Sequence, residues 1–267
     1  MTRRRALPPS AAFLVLVSVL LVLLSLPSPS VSMAQDNPPA PLLPPAPPAE
    51  PPSSATVVRT VEPGEDEVVR GDPNRPRISL VINVGAGSEP AVSMLDTLRE
   101  KGLRTTFFVL GWWAEKRPDI LKRIADDGHE IASHGHSVFD LTAVSDAAVR
   151  EDLLQADAAI SAVTGRTTRP LWSASAGYRD ARVHRIAAEL GYRPIYLTVD
   201  SLDWTAGATA ESVYARVMDR VVNGAIVVLH FDSPTTVHST ADALPRLIDD
   251  LRAAGYSLVT ITELLTE

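Results

Sequence analysis

The sequence of 267 residues contains no cysteine. Disulfide bonds, thiolate metal sites, a cysteine nucleophile and a lipid carried on cysteine are therefore excluded. The chain also has no excess of basic residues, because 25 lysines and arginines stand against 32 aspartates and glutamates. An acidic surface repels the phosphate backbone, so nucleic acid is not an expected partner.

Proline is abundant but unevenly distributed. Of 22 prolines, 13 lie in the first 54 residues, and nine of these fall between residues 37 and 54. Such a segment cannot pack a core and tends to extended polyproline II conformation. Residues 55–74 are polar and charged. We therefore predict a proline-rich linker over residues 35–74.

The N-terminus has the order of an export signal. Three arginines at positions 3–5 precede an uncharged apolar run over residues 11–26, and small residues with prolines follow. This order predicts a signal peptide over residues 1–34. The run is short for a membrane span of about 20 residues, and an uncleaved N-terminal anchor is the alternative. Either way the rest of the chain is expected to be extracytoplasmic, secreted or anchored at the cell surface. Membrane contact is expected only through an uncleaved N-terminal segment.

Residues 75–267 alternate between β-rich and helical patterns. Alternation of this kind over about 190 residues is typical of a parallel α/β domain. Helical periodicity is clearest over residues 146–164, with Ser145 as the capping residue. Strands are predicted over residues 77–84, 105–110, 129–133, 168–172, 193–199, 225–230 and 257–260.

Polar residues follow the predicted strands at their C-terminal ends. They are Asn83, His134, Arg169, Asp200, Asp203 and His230. In a (β/α) barrel these ends converge on one face, whereas an open doubly wound sheet draws its site from fewer strands. We therefore predict an α/β fold, an irregular TIM-like (β/α) barrel with about seven strands. An open sheet is the alternative.

Several motifs occur in an order that resembles a known family. Residues 128–134 read GHEIASH, residues 200–204 resemble D-x-x-D-W, residues 224–230 resemble G-x-I-x-L-x-H, and residues 169–172 resemble R-P-P-Y. Together with residues 105–111, this arrangement resembles the polysaccharide deacetylase family, the NodB homology domain or carbohydrate esterase family four. The resemblance runs from about residue 77 to residue 265.

The resemblance implies a hydrolase that removes acetyl groups from an extracellular amino-sugar polysaccharide. In that family an Asp and two His hold a divalent ion, commonly zinc, a second Asp acts as base and a His acts as acid. A divalent ion polarises the carbonyl and lowers the pKa of its water. An imidazole can protonate the leaving amine near neutral pH.

The base and metal positions depart from the family pattern. The base position is Asn83, whose amide has no useful proton affinity. Val84 stands at the metal-carboxylate position and Val138 at the second histidine position, so His134 is the one retained ligand. A catalytic zinc normally needs three protein ligands. We therefore expect zinc to be absent or weakly bound.

The acid side of the resemblance is complete. His230 stands at the acid position, and Asp203 matches the carboxylate that orients it. Arg169 matches the arginine that holds the base carboxylate, although extra residues after Trp172 leave Arg179 as a competing assignment. The expected substrate-binding residues are Trp172, Trp204 and Leu229.

Three functional hypotheses remain open from the sequence. The family resemblance favours either an active deacetylase or a non-catalytic glycan-binding or structural pseudoenzyme, and metal-free chemistry by His230 and Asp203 is a third possibility. A rebuilt metal site would use His134 and His136 with Asp140 or Glu89. We interpret His129 as a surface residue. The acids of the helix over residues 146–164 are interpreted as a solvated face.

Overall fold

The structure is a computed structural model that describes residues 67–266. The predicted signal peptide or anchor and most of the predicted linker lie outside the described residues. Within residues 67–266, no helix is both long enough and apolar enough to cross a membrane.

Strands and helices alternate along the described chain. The strands are β1 (Arg77–Val84), β2 (Thr106–Val109), β3 (Glu130–Ser133), β4 (Leu171–Trp172), β5 (Arg193–Pro194), β6 (Val199–Asp200), β7 (Ile226–His230) and β8 (Ser257–Leu258). The helices are α1 (Ala91–Glu100), α2 (Gly111–Lys116), α3 (Pro118–Asp126), α4 (Asp146–Thr164), α5 (Ala181–Glu189), α6 (Ala210–Arg220), α7 (Thr240–Ala253) and α8 (Ile261–Leu264). The predicted bounds of α4 are confirmed, with the Ser145 hydroxyl accepting from the Ala148 N–H and Gly165 ending the helix in the left-handed region.

The strands form one curled parallel sheet. Its order is β5-β4-β3-β2-β1-β7-β6, and β8 pairs with the start of β1. Each parallel step is bridged by helical crossover segments, as parallel pairing requires. The predicted irregular (β/α) barrel is confirmed.

Alternation along the strands divides the apolar residues between two cores. In β1, Val81 packs inside the curled sheet with Phe108 and Val228. Leu80 and Ile82 face the other way and join the larger core beneath the helices. Because successive side chains in a strand point to opposite faces, the longer strands β1, β2 and β7 supply both cores.

The chain before β1 takes part in the barrel. Val68, which is 2% exposed, pairs with Ile195 after β5, and Arg70 pairs with Ala225 before β7. The Val68 N–H donates to the Pro194 carbonyl at 2.8 Å, and the Gly71 N–H donates to the Gly224 carbonyl at 2.8 Å. This segment therefore fills the gap between the two ends of the strand order. The predicted domain start at residue 75 is too late, because isolated backbone pairing leaves no hydrophobic periodicity to detect.

Candidate functional site

A groove of about 400 Å³ lies where the C-terminal ends of the strands meet. Its lining includes Asn83 from β1, His134 after β3, and Val228 and His230 from β7. Trp204, Asp200 and Tyr196 form further parts of its wall. Parallel strands that converge in this way bring distant chain segments to one face.

His230 is held by a buried carboxylate. Its Nδ1 lies 2.8 Å from Asp203 Oδ1, and its backbone N–H donates to Asp203 Oδ2 at 2.7 Å. Asp203 is fully buried and also accepts from the Thr240 hydroxyl at 2.5 Å. A carboxylate can only accept, so the His230 Nδ1 carries the proton and Nε2 remains available for other contacts.

The same carboxylate controls the charge of His230. Burial alone would lower the pKa of His230, but the hydrogen bond and negative charge of Asp203 raise it above its ordinary value. The charges of Asp232 and Asp200 act in the same direction. A histidine with a raised pKa is a competent proton donor near neutral pH. The structure thus brings together His230 and Asp203 in the arrangement that the sequence predicts.

His134 is fixed in the opposite protonation state. Its Nδ1 lies 2.8 Å from the Ser173 carbonyl, and because a carbonyl cannot donate, Nδ1 carries the proton. Burial lowers the pKa of His134 to about 4. The neutral ring leaves Nε2 as an acceptor beside the groove.

The metal and base half of the site holds a small cavity instead of a ligand set. This space of about 120 Å³, here called the valine cavity, adjoins the groove. Val84 and Val138 line it together with the polar side chains of Asn83, His134, His230 and Asp232. Neither valine can coordinate an ion. Among residues 67–266, no three His, Asp or Glu side chains gather in an arrangement that could hold a metal. These residues do not fit the divalent ion that the family resemblance implies.

The alternative metal set also fails to assemble. The His136 ring packs over Gly111, where an added Cβ would lie 2.4 Å from His136 Nδ1, and His136 lines neither cavity. Asp140 caps the turn over Leu141–Ala143 by accepting from the Thr142 N–H at 2.9 Å. The hypothesis that these groups join His134 around an ion is wrong.

Two buried carboxylates, which sequence reasoning missed, hold the loops of this half. Asp232 is 1% exposed and accepts from the backbone N–H groups of residues 85–87. Asp152 on α4 is 4% exposed and accepts from the His136 and Ser137 N–H groups at 2.9 Å each. Burial raises the pKa of both carboxyls above the ordinary value, while the donated hydrogen bonds oppose that shift. The interpretation of Asp152 as part of a solvated helix face is wrong.

The expected substrate-binding residues divide between the groove and the core. Trp204 is 53% exposed and lines the groove, as expected. Trp172 and Leu229 are both fully buried and line neither cavity, so those two predictions are wrong. Strand alternation places Val228 on the groove side with His230, and Leu229 consequently faces the helices.

Arg169 lies outside the groove. It precedes β4, pairs with Asp157 on α4 and donates through Nε to the Leu190 carbonyl at 2.7 Å. The prediction that Arg169 holds the base position is wrong, because the arginine stands at the opposite end of its strand. The competing Arg179 stacks on the ring of Tyr196, 3.3 Å from the centroid, and Tyr196 is a wall of the groove.

The structure is thus a parallel (β/α) barrel with a carboxylate-held histidine at its strand ends, and comparisons with known proteins identify its family. Residues 70–195 match the family model described as polysaccharide deacetylase. The structure of wild-type BA3943, a CE4 family pseudoenzyme from Bacillus anthracis, superposes with a TM-score of 0.71 at 30% identity, covering 76% of this chain and 70% of that one. The chain belongs to the polysaccharide deacetylase family, CE4.

Other relatives include named deacetylases. The peptidoglycan-N-acetylmuramic acid deacetylase PdaA of Bacillus subtilis is 26% identical over 82% of both chains, and its structure superposes with a TM-score of 0.69, covering 75% of this chain and 85% of that one. YlxY of the same organism is 32% identical over 76% of this chain, which spans 61% of that protein's length. A mutant of BA3943 is described as having restored enzymatic activity.

Proposed function

We propose that this protein is an exported, non-catalytic member of its family that binds an N-acetylated amino-sugar polymer of the cell envelope. One observation carries the proposal: the valine cavity replaces the metal and base, while the groove beside it and the His230–Asp203 pair are intact. Loss confined to one half of a site fits a binding protein that derives from an enzyme.

Hydrolysis of an acetamide needs an activated water, and the groove offers no group for that task at the family position. Asn83 cannot take up a proton, and a single imidazole does not hold a divalent ion against solvent. Asp232 lies at the edge of the valine cavity, but one of its oxygens already accepts the three N–H groups of residues 85–87. The proposal therefore assigns no turnover to the chain.

The groove has the features of a sugar site. An exposed indole at Trp204 and the Tyr196 ring supply aromatic surface, and His134, Asp200 and His230 supply polar groups. Aromatic faces combined with a few polar groups suit neutral sugar rings. The deacetylase relatives are named for peptidoglycan, which supports an amino-sugar polymer of this kind as the partner.

The order of the N-terminal sequence supports an extracytoplasmic location. Basic residues, an apolar run and a proline-rich linker would place the barrel outside the cytoplasm, secreted or anchored at the surface. Peptidoglycan is found in that compartment, so the proposed partner and the proposed location agree.

A second candidate function is residual hydrolysis without a tightly bound ion. The intact His230–Asp203 pair favours this candidate, because Asp203 raises the pKa of His230. In this candidate, His230 would donate a proton to the leaving amine, and water would attack without help from a metal ion or a base at position 83.

The deciding experiment measures metal content and turnover together. Purified full-length protein is analysed for bound metal and assayed for acetate release from N-acetylated oligosaccharides, with and without added zinc, beside direct binding measurements. We expect saturable binding with no stoichiometric metal and no acetate release. Tight metal with turnover would overturn the proposal, and metal-free turnover abolished by His230→Ala would favour the second candidate.

Restoring the lost positions provides the matched gain-of-function test. The triple variant Asn83→Asp, Val84→Asp and Val138→His should bind one zinc ion per chain, because the new groups line the valine cavity beside His134. The control variant Val222→Asp adds a charge at a 40% exposed site outside both cavities and should bind none. A triple variant that folds but binds no zinc would show that the aligned positions are wrong.

A further inference from the structure

Another cavity lies at the end of the barrel where the strands begin. This space of about 360 Å³, here called the basal pocket, is lined by the charged or ionisable side chains of Arg104, His129, Glu130, Arg166 and Glu263. Arg104 precedes β2 and Glu130 begins β3, and no lining residue is shared with the groove or the valine cavity. Small-molecule sites commonly have volumes of about 300–1,000 Å³, so the basal pocket is large enough for a ligand.

His129 brings an unpartnered donor to this pocket. The residue is 3% exposed, and its Nδ1 accepts from the Thr105 N–H at 3.2 Å. Because an accepting Nδ1 is unprotonated, the proton of the neutral ring is on Nε2. That Nε2 is buried and has no hydrogen-bond partner among residues 67–266. Buried donors are normally satisfied, so this N–H points to an acceptor group that a ligand supplies.

Two arginines bring positive charge to the basal pocket. The Arg104 guanidinium lies over Gly128, where an added Cβ would be 3.3 Å from Nε, and Arg166 follows the end of α4. Two other arginines of this region, Arg123 and Arg169, form ion pairs with aspartates. Arg104 and Arg166 form no ion pair within residues 67–266, so both guanidinium groups are available to a carboxylate.

Two glutamates bring negative charge to the same pocket. Glu130 Oε2 accepts from the Thr106 hydroxyl at 2.6 Å, and Glu263 Oε2 accepts from the Thr260 N–H at 2.9 Å. These bonds leave Oε1 of each carboxylate for a ligand. The ends of α3 and α4 also border the pocket, and the C-terminal carbonyl groups of helices favour positive charge. The pocket therefore offers acceptors to a cationic group as well as donors to an anionic one.

The charges of the basal pocket balance without direct pairing. Burial lowers the pKa of His129 to about 4, so at neutral pH two guanidinium groups are matched by two carboxylates. Within the part of the chain that the structure describes, no ion pair joins these arginines to these glutamates. A ligand of one charge sign is repelled by one of the two sets, whereas a ligand that carries both signs is attracted by both.

We propose that the basal pocket binds a zwitterionic ligand, an amino acid or a short peptide with both ends free. Its carboxylate lies with Arg104, Arg166 and the Nε2–H of His129. Its ammonium group lies with Glu130 and Glu263. Hydrogen bonds between ionised groups are shorter and stronger than neutral ones, so both ends of the ligand contribute to affinity. This site is separate from the groove and does not depend on glycan binding.

The test compares three probes that differ in their terminal charges. Glycylglycine carries both charges, N-acetylglycylglycine lacks the ammonium group, and glycylglycinamide lacks the carboxylate. Their affinities for the full-length protein are measured at neutral pH by NMR titration. We expect glycylglycine to bind at least about tenfold more tightly than either of the other two, because each of those loses one set of charge-assisted hydrogen bonds.

Two variants assign the two ends of the ligand to their partners. Arg166→Ala should weaken glycylglycine and N-acetylglycylglycine about tenfold and leave glycylglycinamide unchanged. Glu263→Gln should weaken glycylglycine and glycylglycinamide by a similar factor and leave N-acetylglycylglycine unchanged. Both side chains are exposed, and glutamine can still accept from the Thr260 N–H, so folding is preserved.

Arg220→Ala and Glu100→Gln are the matched controls, because both wild-type residues are exposed and lie outside the basal pocket. Neither control should change the affinity of any probe. Equal or tighter binding of N-acetylglycylglycine or of glycylglycinamide would overturn the zwitterion proposal, as would the absence of binding by glycylglycine. Affinities that are unchanged in both Arg166→Ala and Glu263→Gln would overturn the assignment of this pocket. None of these results alters the test of glycan binding in the groove.

Discussion

Acid should destabilise this protein through His129, a residue outside the groove. His129 is 3% exposed, so its interpretation as a surface residue is wrong. Its ring lies 4.9 Å from that of Phe107, and its Nδ1 accepts from the Thr105 N–H at 3.2 Å. Protonation at Nδ1 would break that bond as well as bury a charge. Burial lowers the pKa of His129 to about 4. The nearby charge of Asp127 opposes this shift, whereas the charges of Arg104 and Arg123 add to it.

The magnitude follows from the difference between folded and unfolded pKa values. An unfolded histidine titrates near 6.5, so protons favour the unfolded chain as the pH falls from there towards 4. The contribution of His129 is complete above pH 6.5 and is lost progressively through that window. The full loss is about 3 kcal/mol, with a steepest slope of about 1.4 kcal/mol per pH unit. That is a large share of a typical unfolding free energy of about 5–15 kcal/mol.

Urea unfolding of wild type and His129→Asn from about pH 7.5 to about pH 4.5 isolates this contribution. The asparagine carbonyl can still accept from the Thr105 N–H but does not titrate. At about pH 7.5 the variant should have the lower free energy of unfolding, and this gap between wild type and variant should narrow by about 2–3 kcal/mol on going to about pH 4.5. His238→Asn, whose side chain is 86% exposed in the wild type, serves as control and should follow the wild-type curve. A gap that stays constant would refute the reasoning.

Three further outcomes test other contacts. Asp203→Ala should lower the free energy of unfolding by about 3–5 kcal/mol in urea titrations, because it leaves the buried donors of His230 and Thr240 without an acceptor. A loss below 1 kcal/mol would show that water replaces the carboxylate. Arg169→Ala should lower the free energy of unfolding by about 1 kcal/mol, because its bond to Asp157 on α4 is lost. Oligosaccharide affinity measured by calorimetry should stay unchanged, and a drop in affinity would show that Arg169 belongs to the binding site after all. Val68→Ala should cost about 1–3 kcal/mol by thermal or urea unfolding, and no effect would mean that the segment before β1 packs weakly.

The larger part of the fold follows from sequence pattern. The eight residues of β1 alternate between two cores, and the nineteen residues of α4 carry a cap, a periodic face and a terminal glycine. Such elements contain enough repeats for their period to be read. β4 and β5 have two residues each, and no alternation can be read from two positions. The side chain of Trp172 was misplaced for that reason.

The site could be predicted where the residue type alone indicates which chemistry is possible. His230 beside Asp203, and the valines at ligand positions, needed only the motif order. Leu229 was misassigned although alternation from His230 already places Val228 in the groove. The roles of Asp152 and Asp232 had no signal, because they bind backbone N–H groups of distant loops and any residue type can supply those groups.

The segment before β1 has a mechanical consequence. Backbone hydrogen bonds tie Val68 to the end of β5: the Val68 N–H donates to the Pro194 carbonyl, and the Tyr196 N–H donates to the Val68 carbonyl, at 2.8 Å each. Glu67 also pairs with Arg179, whose guanidinium stacks on the Tyr196 ring. Tension applied to the chain at Glu67 and Val68 would therefore act directly on the groove wall at Tyr196.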